Sequence, residues 1–368
     1  MHRLVQLDGL RAFAVLGVIL HHTTRWEFGI PLGPYCVRLF FVLSGFLITG
    51  ILLKARAQSN DTGFILRAFY ARRFLRIFPV YYASLAALLL LGQPDISATF
   101  PWHVAYLSNV LCSMPDVEIV SAWGHLWSLS VEEQFYLLWP ALILFMPNRA
   151  IPYFLVGAVA CGPLFRLICG TYWGVAPAVY LTPGCLDSLG LGALLAWYQR
   201  SERPLGDIDR LSAWALRSGL LIVGIHLACQ YLDISFKLWL LTRDFGAALV
   251  ACWLVHRASE GFAGAWGRVL SNGFLVYLGT ISYGMYLFHN FVPWLAEFAG
   301  FAVPMHGIER FLFVGASTIV VAALSWHVFE KPLNALKDNF PYTRLAKTRG
   351  VHVSEECRLA TTATTAEQ

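Results

Sequence analysis

Residues 36–53 read CVRLFFVLSGFLITGILL, eighteen positions dominated by Leu, Phe, Ile and Val. As an α-helix this run is ~27 Å long at 1.5 Å per residue. That is close to the ~30 Å hydrocarbon core of a bilayer. The run stops at two cations, Lys54 and Arg56, as a membrane span does at the headgroups. A soluble strand or core helix of this apolarity is usually shorter, so the stretch is read as a transmembrane helix.

Outward from this run the same pattern recurs. Hydropathy predicts about ten spans, at 8–24, 36–53, 77–92, 132–147, 150–169, 184–199, 213–232, 243–257, 274–296 and 309–329. The composition agrees: of 368 residues 57% are hydrophobic and only 13% charged, with mean hydropathy +0.59, whereas soluble domains average about 25% charged. An all-α polytopic transmembrane bundle is the expected fold. The net charge of +5 is spread over particular loops, and no nucleic-acid partner is expected. The apolar run after Arg11 is followed by His21-His22-Thr23-Thr24-Arg25-Trp26 rather than a small-residue cleavage site, so the first span is expected to be retained. The eight cysteines show no CxxC and no Cys/His ligand spacing. They are read as small apolar residues, with neither disulfide nor metal expected.

Charge placement orients the bundle. Lys54, Arg56, Arg67, Arg72, Arg73 and Arg76 crowd one connecting stretch, 54–76. From Ile77 to Asn148 there is no Lys or Arg, yet Asp95, Asp116, Glu118, Glu132 and Glu133 are present. The positive-inside rule puts 54–76 in the cytoplasm and 93–131 outside. Alternation then makes both termini cytoplasmic, with Lys237 and Arg243 as mild exceptions in a short outer loop. Residues 1–340 read as one integral membrane domain. The stretch 341–368 reads as a polar cytoplasmic tail, expected to be disordered.

Ionisable residues within spans suggest function by default. Arg11 and His22 are eleven positions apart, three full helical turns plus ~20°, so they share a face and lie ~16 Å apart along the axis. The alternative is that Arg11 snorkels to headgroups and His22 bonds a neighbour. Arg72, Arg73 and Arg76 have i, i+3 and i, i+4 spacing. They suit phosphate, because guanidinium makes paired charge-assisted bonds, and they equally suit a positive-inside anchor. Trp123 to Tyr136 carries His125, Ser128, Ser130, Glu132, Glu133 and Tyr136 at the outer mouth of the fourth span. Glu132 and Glu133 diverge by ~100° on a helix, so one is free to cap the N-terminus while the other faces inward; both are equally readable as caps. His289 and Asn290 in span nine are read as structural, and Glu330-Lys331-Pro332 as a helix stop. Arg166 and Asp187 are open between a mutual pair and a cavity lining.

Taken together, Leu7 to Ala12, Phe40 to Ile48, Arg73 to Pro79, Trp127 to Tyr136, Ile281 to His289 and Phe329 to Pro332 resemble membrane-bound acyltransferase family 3, which includes bacterial O-antigen and Nod-factor O-acetylases. The family's Arg-x10-His pattern falls on Arg11 and His22, its RxxR on Arg73 and Arg76, and its Ser-Leu-Ser-Val-Glu-Glu on Ser128 to Glu133. The resemblance implies a ten-helix domain in a bacterial inner membrane. It also implies an acyl-CoA donor, most simply acetyl-CoA, on the cytoplasmic side, and a hydroxyl acceptor that is a cell-envelope or exported glycan. Some relatives carry an added extracytoplasmic hydrolase-like domain, whereas this chain is expected to be a single-domain enzyme; others acylate macrolides or add succinyl groups. The expected roles follow: Arg11, Arg72, Arg73 and Arg76 hold coenzyme A; His22 is general base; Glu132 or Glu133 orients it or binds the acceptor; and Ser128, Ser130 and Tyr136 contact substrate. Ser44, Ser130 and Tyr136 are the candidates for donors to the thioester oxyanion. No metal is expected. A transporter is the rival class, since buried charges also mark transport paths, but repeated halves and paired broken helices are not evident in the sequence.

Overall fold

A computed structural model describes residues 4–24, 32–115, 117, 123–201, 205–232 and 236–342. Among them the chain is helical with no strand, and the helices form a membrane bundle. The long helices are α1 (Val5–Thr24), α2 (Leu32–Gln58), α3 (Thr62–Leu90), α4 (Leu126–Phe145), α5 (Ile151–Tyr172), α6 (Leu186–Arg200), α7 (Leu205–Tyr231) and α8 (Phe236–Glu260). They are followed by three short helices, α9 (Gly273–Thr280), α10 (Ser282–Phe288) and α11 (Val292–Phe298), and by α12 (Gly307–Ser325). Large apolar side chains such as Leu90, Leu138, Tyr153, Leu221 and Leu312 are exposed on the outside of the bundle. Hydrocarbon is the solvent that tolerates such a surface.

Among the described residues six helices are long and apolar enough to cross a membrane: α2, α3, α5 and α12 with its continuation, and most of α7 and α8. The expected spans that fall short do so for a reason. α1 and α4 carry the polar residues singled out above, α6 has only 15 residues, and the ninth span is broken. The expected continuous helix over 274–296 is corrected to α9, α10 and α11. The last break comes at His289–Phe291, just before Pro293 in the first turn of α11, where proline cannot bond back to the preceding turn. The third span is also corrected. α3 begins at Thr62, capped by Asp61 Oδ1 accepting from Phe64 N–H at 2.9 Å, so the arginine stretch read as a connector is helical. At 29 residues it is ~43 Å long, so one end must project past the hydrocarbon. α4 likewise starts six residues before the expected 132, taking Ser128 and Ser130 into the same helix as Glu132. The polar tail expected from 341 lies, beyond Tyr342, outside the described residues.

α2 is the central rod. It packs on α1, α4, α6 and α8. Its crossing with α6 depends on Gly45 and Gly192: a Cβ on Gly45 would collide with the Leu189 carbonyl, and one on Gly192 with the Val42 carbonyl. Small residues permit such backbone approach in membranes. Against α4 the register is polar. Ser44 meets Glu132 and Tyr136, Trp139 Nε1–H donates to Thr49 Oγ1 at 2.9 Å, and Arg56 donates to the Ile143 carbonyl at 2.5 Å. Numbers rise together on both sides, so α2 and α4 run in the same direction, as two helices separated by one return crossing must. The Arg56 bond also satisfies a carbonyl in the last turn of α4.

Candidate active site

Three cavities follow one another through the bundle, walled chiefly by α1–α4 and α10, with α8, α11 and α12 adding to the third. The first, about 330 Å³, is lined by Lys54, Arg72, Arg73, Arg76 and Lys337. The second, about 240 Å³, is lined by Arg11, Ser44, Arg73, Arg76, Glu132 and Tyr136 among others. Ile51, Arg73 and Arg76 belong to both walls. The third, about 600 Å³, holds His22, His125 and Asn290. Val37 and Tyr286 are walls common to the second and third.

In the central cavity the hydroxyls converge on one carboxylate. Ser44 Oγ–H donates to Glu132 Oε1, which leaves Ser44 Oγ to accept from Tyr136 Oη–H at 3.0 Å. Arg11 lies opposite, held by Asp8 one turn earlier through Nη1–Oδ1 at 2.8 Å. Arg73 sits 5.7 Å from both the Phe69 and Tyr136 ring centroids, and its buried Nε has no hydrogen-bond partner. An unpaired guanidinium N–H in such a place is a donor awaiting an acceptor. A second relay crosses the wall toward the outer cavity: Ser128 Oγ–H donates to the His125 carbonyl at 3.0 Å, and Tyr286 Oη–H donates to Ser128 Oγ at 2.5 Å.

The outer cavity has a different chemistry. His22 Nδ1 and His289 Nε2 are 2.8 Å apart, and His289 Nδ1 is 2.6 Å from the Tyr286 carbonyl. A carbonyl can only accept, so His289 Nδ1 carries the hydrogen. In the neutral ring its Nε2 is then the acceptor, and His22 Nδ1–H donates to it. That leaves the lone pair of His22 on Nε2. The break between α10 and α11 puts His289 where its ring reaches back to Tyr286. His125 buttresses the pair, with Nε2–H donating to the Leu287 carbonyl at 3.0 Å, Asn290 Nδ2 donating to Nδ1 at 3.2 Å, and its ring edge-on to His289 at 4.8 Å.

The residues singled out from the sequence divide accordingly. Arg11, Arg73, Arg76, Ser128, Glu132 and Tyr136 are gathered in the central cavity, together with Ser44, and His22 lines the next. Arg72 lines only the first cavity; its Nη1 donates to the Lys337 and Phe340 carbonyls at 3.0 and 3.1 Å, and its guanidinium rests on the Tyr342 ring at 5.2 Å. Glu133 is not among the cavity residues, consistent with its divergence from Glu132. Ser130 bonds back to the Leu126 carbonyl of its own helix at 3.2 Å. Arg166 and Asp187, left open above, form a fully buried ion pair at 2.7 Å. His289 and His125 were not read from the sequence as site residues; an imidazole and an amide side by side at the end of a Tyr- and Gly-containing apolar run, His289-Asn290, is the faint signal for the first.

Comparison with known proteins bears on the same segments. A family model for an acyltransferase domain, acyltransferase 3, matches residues 4–328. The chain is 30% identical over 363 residues to "Putative peptidoglycan O-acetyltransferase YrhL" of Bacillus subtilis (strain 168), covering 90% of this chain and 55% of that one. It is 29% identical over 310 residues to O-acetyltransferase OatA of Staphylococcus aureus (strain NCTC 8325 / PS 47), covering 77% of this chain and 49% of that one. The chain thus spans about half the length of these curated relatives. No solved structure matches it. With the family match running from residue 4, just before α1, to residue 328, just past α12, the chain belongs to the membrane acyltransferase 3 family.

Proposed function

We propose that this chain is an integral-membrane O-acyltransferase. It moves an acyl group, most simply acetyl, from acyl-CoA at the cytoplasmic face to a hydroxyl of a cell-envelope glycan such as peptidoglycan. The observation that carries this reading is the series of cavities, with cations at one end, Glu132 in the middle and the His22 lone pair beyond. The names of the relatives support the acetyl group and the glycan.

In this reading the cytoplasmic side is the side of Lys54, Arg72 and Lys337. Arg73 and Arg76, which face both the first and second cavities, bind coenzyme A phosphates through charge-assisted bonds. The pantetheine arm, ~15–20 Å by bond-length reckoning, matches the ~16 Å rise from Arg11 to His22. It runs through the central cavity and brings the thioester to the wall formed by Val37 and Tyr286. The acceptor enters the outer cavity. Its hydroxyl gives a proton to His22 Nε2 as its oxygen bonds the carbonyl carbon. The carbon–sulfur bond then breaks, and the thiolate leaves as coenzyme A thiol on regaining a proton. His289 fixes the tautomer that makes Nε2 the base.

The test is reconstitution of the full chain in liposomes with labelled acetyl-CoA presented to one face and a peptidoglycan fragment to the other. The expected outcome is an ester on a sugar hydroxyl with release of one coenzyme A per ester. Absence of coenzyme A release with every acceptor offered removes the reading, and movement of intact substrate across the bilayer without esterification would favour a transporter.

A further inference from the structure

The outer cavity holds a second feature that the transfer step does not use. Arg38 of α2 lines it, as do Arg243 and Asp244 of α8. Asp244 is already occupied: Arg243 grips it with two bonds, Nε to Oδ1 at 2.8 Å and Nη2 to Oδ2 at 3.1 Å. Arg38 shares only Oδ2, through Nη2 at 2.7 Å. Its Nη1 has no partner, although Arg38 is only 1% exposed. The neighbouring Arg166–Asp187 pair, within electrostatic reach of both Arg38 and Asp244, is internally balanced and supplies no spare carboxylate. Three buried guanidinium groups therefore face two carboxylates.

An uncompensated guanidinium inside a membrane protein is costly, and evolution keeps such groups where they meet a ligand. The other charged residues on this wall do not neutralise the excess locally. Asp95 accepts from Gln93 Nε2 at 3.2 Å, Arg310 donates to the Pro304 carbonyl at 2.8 Å, and Glu297 makes no ion pair with the cluster among the described residues. Trp127, Tyr180 and Trp294 supply aromatic faces to the same cavity, which suits the apolar faces of sugar rings.

We propose that Arg38 is a specificity site for an oxyanion carried by the acceptor, a carboxylate or a phosphate, which docks beside Asp244 while a hydroxyl of the same molecule reaches His22. This rests on the outer cavity being the acceptor chamber. The guanidinium fork suits either oxyanion, because each offers two oxygens to parallel N–H donors. Neutral acceptors would leave Arg38 Nη1 without a partner and are bound less well.

The experiment is thermal unfolding of the purified full chain in detergent at fixed ionic strength, with coenzyme A present throughout so that the inner arginines are occupied. The probes are D-glucuronate, its uncharged methyl ester, and inorganic phosphate. Glucuronate, phosphate or both raise the unfolding midpoint by about 1–3 °C, and the ester does not. A shift with glucuronate alone identifies a carboxylate site; a shift with phosphate alone identifies a phosphorylated acceptor. Equal shifts for acid and ester, or no shift with either anion, overturn the proposal. Arg38→Lys keeps the charge but loses the fork and is expected to abolish the anion shift; an undiminished shift in a folded Arg38→Lys protein also overturns it. The acid–ester comparison in the unmodified chain decides the matter if that variant does not fold. Coenzyme A release measured on the same preparation separates the two readings. An anion shift without acyl transfer leaves this site and removes the transferase, whereas transfer without an anion shift does the reverse.

Discussion

The central and outer cavities share Val37 and Tyr286 as walls, yet they are built from opposite kinds of group. The central one has permanent charges: Arg11, Arg73 and Arg76 around Glu132, with Tyr136 donating to Ser44 and Ser44 to the carboxylate. At its reactive wall the outer one has neutral imidazoles, one of which has a lone pair left over after the other is satisfied. Fixed charge binds anions and cannot easily take up a proton; an imidazole does the reverse. Placing them in successive chambers lets donor binding and proton transfer be tuned separately.

That division is best broken at His22. His22→Ala is expected to lower kcat by about 10²–10⁴, with the apparent KM for acyl-CoA and the amount of membrane-inserted protein unchanged, as measured by coenzyme A release and immunoblot. Unaltered turnover would return the chemistry to the central cavity. The mirror variant, Arg73→Ala, removes charge-assisted bonds worth about 1.5–3 kcal/mol. It should raise KM for acyl-CoA about 10–100-fold while kcat at saturation holds within a few-fold. Steady-state titration separates these signatures, and a lowered kcat with unchanged KM would place Arg73 on the reacting atoms instead.

A smaller effect sharpens the outer chamber. His289→Leu takes away the acceptor for His22 Nδ1–H and is expected to cost about 10–100-fold in kcat, in line with orienting partners elsewhere. His289→Gln, whose side-chain oxygen can accept that hydrogen, should recover part of the loss. Equal losses in both would mean that packing, not the tautomer, is what His289 supplies. The smallest contrast lies within α4. Ser130→Ala should leave activity within about twofold, because its hydroxyl bonds only its own helix. Ser44→Ala, which removes the bond to Glu132, should cost roughly tenfold, and a parallel assay of coenzyme A release distinguishes them.

Sequence reasoning reached the polar residues by their cost. Arg11, His22 and Glu132 are expensive in lipid, so each demanded a place to go. Helical arithmetic could tell that Arg11 and His22 share a line along α1 and that Glu132 and Glu133 do not share a direction. It could not see that Arg72, a neighbour of Arg76 on its helix, would be drawn to carbonyls some 265 positions away at Lys337 and 340. Nor could it extend α3 back to Thr62, because a cluster of arginines looks the same in a connector as at the projecting end of a long helix. His289 was read as structural for a related reason: one histidine in an apolar segment is satisfied by any nearby carbonyl, and only the break before Pro293 gives its second nitrogen to His22.

What the sequence determined by itself was the solvent and the inventory. Long apolar runs require a bilayer because each helix must satisfy its own backbone there, and that requirement is local to each run. What only the tertiary structure decided was which polar groups meet: Ser44 with Glu132, His22 with His289, Arg38 with a carboxylate already held by Arg243. Those meetings join positions up to 267 residues apart, and they depend on the crossing of α2 with α6 and on the break after α10. Helix packing in lipid is set by shape and by the mutual need of buried polar atoms, and neither is written in the periodicity of a single helix.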